Sequence, residues 1–352
     1  MWGEIGSSGE TGLHLYGAHP EFQFGPPAAV AMTPFTLLES RVGGMLLTVT
    51  LLVTGLALLG GLLSIAQRLA GGPHFRITAG VIAGGAVFVA TWSDLAVRTA
   101  HIDDVLAIAG LVAAVWCCTR GHPWAASLLL GVGAAAKPWG VGFVVVSAAP
   151  RGRARWLRPL LACGVAAACW APFILAESKT MDTSRHAIDV KPESVLALFG
   201  LGGTTTPEWC RPAQLVAGVV LASWLVTRGR WAAAPLAVVT IRLALDPDVN
   251  RYYTVAFVVA ALLLLWVHQP GRFPWLVVVG AVVLESTETL PWPSAIGGLT
   301  RLALLATTAI VLARTAPSPP LPAAPTDVGV RPAYATASAT RAATWSASRQ
   351  GE

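Results

Sequence analysis

Charged residues are scarce: they fill 12% of the 352 positions, against 55% for the apolar types, where a soluble domain carries roughly a quarter. Lysine is nearly absent, with only Lys137, Lys179 and Lys191. A chain of this length has too little interior to hide so much Leu, Val and Ala from water. The mean hydropathy of +0.63 therefore excludes the soluble enzyme classes and indicates a membrane protein. Cysteine is thin too: Cys117, Cys118, Cys163, Cys169 and Cys210 follow neither a CxxC metal spacing nor a disulfide framework, and read as small apolar fillers. The start lacks the charged and apolar regions of a signal peptide. No Walker-type phosphate loop or dinucleotide fingerprint occurs, which argues against ATP hydrolysis. No basic stripe is interleaved with exposed aromatics, so nucleic-acid binding is dropped. The net charge of +6 bears instead on topology and lipid headgroups.

What is abundant is long apolar sequence. Measured against a span of ~20 residues, or fewer where neighbours shield a helix, candidates lie at 43–66, 77–97, 104–118, 123–136, 138–150, 156–176, 213–227, 231–245, 251–268, 273–290 and 297–314. The expected fold class is all-α, a polytopic transmembrane helical protein of roughly 10–11 spans. The Lys137-Pro138 step decides whether 123–150 is two segments or one long helix, because proline disfavours helix in the residue before it.

Charge favours the break. With it, the loops holding Arg68 and Arg76, Arg120, Arg151 to Arg158, Arg228 and Arg230, and Arg272 all fall on one side without a single acid. Glu21, Glu39, Asp94, Asp103, Asp104, Lys137, the mixed stretch 177–212, Asp246, Asp248, Glu285 and Glu288 fall on the other. The positive-inside rule makes the arginine side cytoplasmic and the acid-bearing side external. The domain expectation is an outward N-terminal loop over 1–42, a transmembrane domain over 43–315 with an outward loop at 177–212, and a disordered cytoplasmic tail over 316–352, rich in Pro, Ala, Ser and Thr. Eleven spans with a cytoplasmic C-terminus put Met1 outside; either a first helix is missing upstream or one weak span, 77–97 or 123–150, is miscounted.

Ionisable groups at membrane depth are costly and mark functional sites by default. His101-Ile102-Asp103-Asp104 opens the span 104–118, where one carboxylate can cap free N–H groups while the other faces a cavity. The same cluster could hold a divalent cation, although no resident metal or other cofactor is expected from it alone. Lys137 has 13 uncharged residues on either side and a helix-breaking proline beside it, so it must snorkel or bind an anion, phosphate being the natural partner. Arg242, Asp246, Asp248, Arg251, Tyr252 and Tyr253 crowd one outward turn and match what a phosphate and sugar hydroxyls need, or simply pair with each other. Tyr16, His14, His19, Glu21, Phe22 and Phe24 form an aromatic and acidic stretch beside the membrane.

These motifs together resemble glycosyltransferase family 87: Tyr16 followed by an aromatic stretch, Gly-Pro-Pro and an apolar run to Pro34; His101-Ile-Asp-Asp; Ala-Lys137-Pro138; and Arg242-Leu-Ala-Leu-Asp246-Pro247 with Tyr252-Tyr253. The resemblance covers most of residues 12–290. It implies a C-type fold and a polyprenyl-phosphate-mannose-dependent transferase of the actinobacterial cell envelope, which moves a hexose, with inversion, to a lipid or glycan acceptor at the outer leaflet. It implies a catalytic carboxylate in the first outward loop. There Glu10 is the expected base, with Asp103 and Asp104 as fallbacks; Lys137, Arg242 and Arg251 are expected at the donor phosphate, and Tyr16, His101, Asp246, Tyr252 and Tyr253 at the substrate. The rival class is a secondary transporter or permease, which uses the same charges and broken helix, but no repeat relates the two halves.

Overall fold

The computed structural model describes residues 12–69, 77–185, 187–290 and 292–322. Those residues form no strand beyond one isolated bridge, Asp189 to Thr205. The helices are α1 (Pro26–Thr36), α2 (Ser40–Leu69), α3 (Ala79–Asp94), α4 (Ile102–Thr119), α5 (Pro123–Ala136), α6 (Leu157–Ala176), α7 (Cys210–Thr227), α8 (Ala234–Leu245), α9 (Tyr252–His268), α10 (Trp275–Thr289) and α11 (Ser294–Arg314). Between α5 and α6 lies a 3-10 helix, Pro138–Ala148.

Among the described residues six helices are long and apolar enough to cross a membrane: α2, α3 with its extension to Thr99, α4, α6, α7 and α11. The shorter apolar segments are shielded instead. Helix α9 is apolar on every side and buries residues all round, which places it at the centre of the bundle. Helix α6 is its opposite: only Arg158, Pro159 and Ala162 are buried, so its Leu and Ala surface is what lipid would cover. The chain is an all-α, multi-pass membrane protein.

The break at Lys137 is real. Helix α5 stops at Ala136, Lys137 is extended (φ −142°, ψ 112°), and Pro138 restarts the chain as a 3-10 helix. Gly140, Gly142 and the run Val144–Val146 are poor α-formers, the valines because their side chains crowd the preceding turn. The segment folds back along α5 and is almost wholly buried. As a result the eleven segments from α2 to α11, the 3-10 helix included, run alternately between two ends.

Contacts define the ends. At one, Asp103 meets Lys137, Asp94 meets Arg251, and Ser294 meets Glu193. At the other, Arg155 reaches the Val226 carbonyl, Thr78 that of Pro270, and Arg230 that of Ala313. The first end is the acid-bearing one and the second the arginine one.

Two expectations are corrected. The stretch expected as an N-terminal loop is helical from Pro26 and packs inward: Gly25 N donates to the Ala136 carbonyl at 2.7 Å, and Phe22, Phe24 and Met32 join the core. The tail does not begin at residue 316. Ser318 N donates to the Gly229 carbonyl, Trp231 Nε1 to that of Pro319, and Leu321 is buried. One leucine and open carbonyls suffice to dock a proline-rich segment. The remainder of that tail lies outside the described residues.

Candidate functional site

A cavity of about 1130 Å³ occupies the acid-bearing end. Its polar wall is built by three neighbouring features. Helices α4 and α5 form an antiparallel pair joined by a tight link in which Gly121 takes φ +81°, so the start of one lies beside the end of the other. This brings Lys137 Nζ to 2.5 Å from Asp103 Oδ2 and 3.4 Å from Asp104 Oδ2. The end of α8 adds Arg242, whose Nη1 lies 3.3 Å from Asp104 Oδ1 and whose Nε lies 3.4 Å from Asp246 Oδ2. The start of α9 adds Tyr252 and Tyr253.

Aromatic rings fix these charges. The Arg242 guanidinium lies between Trp139 (4.4 Å to the ring centre) and Tyr253 (4.1 Å), a desolvated cation–π sandwich. Trp139 Nε1 also donates to Asp104 Oδ1 at 3.0 Å. His101 stacks on Tyr252 at 3.9 Å with its Nδ1 3.6 Å from Asp103 Oδ1. The three carboxylates Asp103, Asp104 and Asp246 thus face two permanent cations, Lys137 and Arg242. Burial pushes the Asp246 carboxyl above its ordinary range, while Arg242 and the Asp248 backbone N–H pull it back.

Of the residues expected at the site, Lys137, Arg242, Asp103, His101, Asp246, Tyr252 and Tyr253 line the cavity. Asp104 belongs to the same cluster but sits behind it, only 1% exposed. Arg251 does not join them: it pairs with Asp94 (3.3 Å) and Glu285 (3.6 Å) in a second ionic cluster. Tyr16 is not at the cavity either. Its ring is fully buried against Trp170, Phe173 and Phe24, where burial raises its phenol above the usual range, and it fastens the N-terminal segment to α6. Glu10 lies outside the described residues.

His101, Asp103 and Asp104 present ligand atoms within 4.8 Å of one another, the one group among the described residues that could gather a metal ion. Lys137 Nζ lies against both of these carboxylates, at 2.5 Å and 3.4 Å.

Sequence reasoning passed over several lining residues. Arg211, on the first turn of α7, lies in the cavity wall and donates to Gln23 Oε1 at 3.0 Å and to the Thr183 carbonyl at 3.4 Å. Glu21, which the sequence offered only as part of the aromatic and acidic N-terminal stretch, lines the cavity as well, 3.1 Å from His19 Nδ1. Trp170 and Ile174 supply an apolar flank. Arg211 was findable as a cation directly preceding an apolar run; Trp170 carried no signal.

The fold and this cluster define a multi-pass membrane protein with a charged, aromatic-lined cavity at one end. Comparison of the chain with family models, curated proteins and solved structures finds no match.

Proposed function

We propose that this is a membrane glycosyltransferase that moves a hexose, mannose by the family resemblance, from a polyprenyl-phosphate donor to a lipid or glycan acceptor at the external face. The observation that carries the reading is the cavity itself: Lys137, Arg242 and Arg211, the carboxylates of Asp103 and Glu21, and the apolar flank of Trp170 and Ile174 all face one space. Such a donor needs cations at a single phosphate, a carboxylate in reach of the acceptor hydroxyl, and an apolar surface beside its lipid.

In the reaction, a carboxylate takes the acceptor hydroxyl proton as the oxygen bonds to the anomeric carbon. The bond from that carbon to the phosphate oxygen breaks, and polyprenyl phosphate leaves with its negative charge held by Lys137 and Arg242. Asp104, held by Arg242 and Trp139, positions the cations rather than touching substrate. Asp103 and Glu21 are two of the carboxylates that line the cavity, beside Asp189, Glu208, Asp246 and Asp248.

The test is donor turnover. Purified protein given polyprenyl-phosphate-mannose and membrane extract as acceptor source should release free polyprenyl phosphate. A transporter or permease is the second reading, favoured by the helix broken at Lys137-Pro138 beside buried charges. Solute uptake into vesicles with no donor consumed would establish that reading instead.

A further inference from the structure

The arginine end carries a positive charge that the protein itself does not answer. Its stretches 119–123, 149–158, 227–231, 268–275 and 313–322 contain no Asp or Glu. Two of its guanidinium groups are not simply solvated. Arg158 is 2% exposed; its Nη1 donates to the Pro150 carbonyl at 2.7 Å, folding the loop 150–156 over it, and its Nε has no partner among the described residues. Arg155, half-buried three residues earlier, donates from Nη2 to the Val226 carbonyl at 3.2 Å, and its Nε is likewise buried without a partner. The two like charges oppose each other, and among the described residues no carboxylate pairs with either. A buried cation without a counter-charge is the arrangement that costs most, so this loop is built for an anion from outside the chain.

The surroundings say what kind. The 3-10 helix packs on both α6 and α7, and Arg155, just before α6, reaches the Val226 carbonyl near the end of α7. Trp156 and Trp224, at the arginine end of this helix pair, stand exposed, each under an arginine, Arg155 at 5.0 Å and Arg228 at 5.4 Å from the ring centre. Further along the same two helices Leu161 and Val220 present exposed apolar surface. Trp and Arg at the level of the headgroups with aliphatic walls beneath match a phosphate joined to acyl chains, not a soluble anion or a peptide.

We infer that the loop 150–156 is a headgroup site for an anionic phospholipid of the leaflet at the arginine end. The phosphate neutralises Arg155 beside the buried charge of Arg158, and the acyl chains run along the exposed apolar residues of α6 and α7. The inference is independent of the transferase reading, since it concerns the opposite end of the molecule.

Thermal unfolding of the delipidated full chain in detergent tests it, with phosphatidylglycerol, phosphatidylcholine or inorganic phosphate added, alongside native mass spectrometry. Phosphatidylglycerol should raise the midpoint by roughly 3 °C or more, by mass action on the folded state, and remain bound as a single copy, and phosphatidylcholine should do neither. Arg155→Gln should lose most of the shift and the retained lipid. Arg158→Gln should do the same, and if it fails to fold, the half-exposed Arg155 variant carries the test alone. An equal shift with phosphatidylcholine, a full shift with inorganic phosphate, or a shift that survives Arg155→Gln would each overturn the assignment.

Discussion

Asp103 and Lys137 stand 34 residues apart in sequence and 2.5 Å apart in space, one opening a helix and the other closing the next. The pair exists because α4 and α5 are antiparallel neighbours of similar length, so a carboxylate at the first turn of one must meet a cation at the last residue of the other. Lys137 was read from sequence as a cation awaiting an anion. The fold gives it two carboxylates of its own, and the resting site is an ion-paired network that a donor phosphate would have to enter.

That network makes Lys137 a stability residue as well as a binding one. Lys137→Ala should abolish transfer and, by leaving buried Asp103 without its permanent cation, lower stability by about 3–5 kcal/mol. The double variant Lys137→Ala with Asp103→Asn should regain part of the stability but none of the activity. Unfolding midpoints and donor turnover on the same preparations separate the two effects; full activity in the single variant would return Lys137 to a snorkelling role. Lys137→Arg should keep part of the activity, since the charge survives while its geometry changes.

Trp139→Phe tests the second support of the cluster. It keeps an aromatic face for Arg242 and removes the hydrogen bond to Asp104 Oδ1, so a loss of about 1.5–3 kcal/mol is expected, as for a bond to a charged group. A neutral result would mean that Asp104 is held by Arg242 and Lys137 alone.

The carboxylates that face the cavity can be ranked. Asp103→Asn and Glu21→Gln, assayed for release of polyprenyl phosphate, should each reduce turnover, and the variant that loses more than about 100-fold identifies the general base. Equal activity in both and in the wild type would move the base to another lining carboxylate, Asp189, Glu208, Asp246 or Asp248, or to the stretch that includes Glu10.

Topology can be read directly. A reporter fused after Arg155 should report the cytoplasm and one inserted near Met181 the exterior, as the arginine and acid ends require. The reverse readout would exchange the two faces and move the proposed reaction to the cytoplasmic side.

The N-terminal segment offers a packing test. A Cβ at Gly25 would overlap the Ala135 carbonyl, whereas one at Gly164 on α6 meets nothing within 4 Å. Gly25→Ala should therefore cost about 1–3 kcal/mol through overpacking, with Gly164→Ala neutral or better. Equal melting of both would show that α1 is loosely docked.

All eleven apolar runs read from the sequence became segments crossing between the two ends, and the Lys137-Pro138 step broke the chain as its residue types require. Apolar length and proline chemistry are local properties, so they survive folding unchanged. Lateral contacts are not local. Nothing in the order of residues says that Arg251 turns to Asp94 while Arg242, nine positions earlier, turns to Asp104. Tyr16 looked like a surface aromatic because its neighbours are polar and Gly-rich; its burial is set by Trp170 and Phe173, more than 150 positions away. The packed segment at 316–322 was hidden for the same reason, its partners being carbonyl and indole groups that every loop of this composition offers.

The winding of Pro138–Ala148 has a mechanical side. At about 2.0 Å per residue its eleven residues reach about 22 Å, where α-winding would give about 17 Å. The segment is a drawn rod. It is pinned at one tip by the Lys137 tether to Asp103, and Pro150, just past the other tip, is held at its carbonyl by Arg158. Relaxation to an α-helix would have to pull one of those anchors inward by about 5 Å. This one element therefore joins the ion pair at the cavity to the arginine loop at the far end.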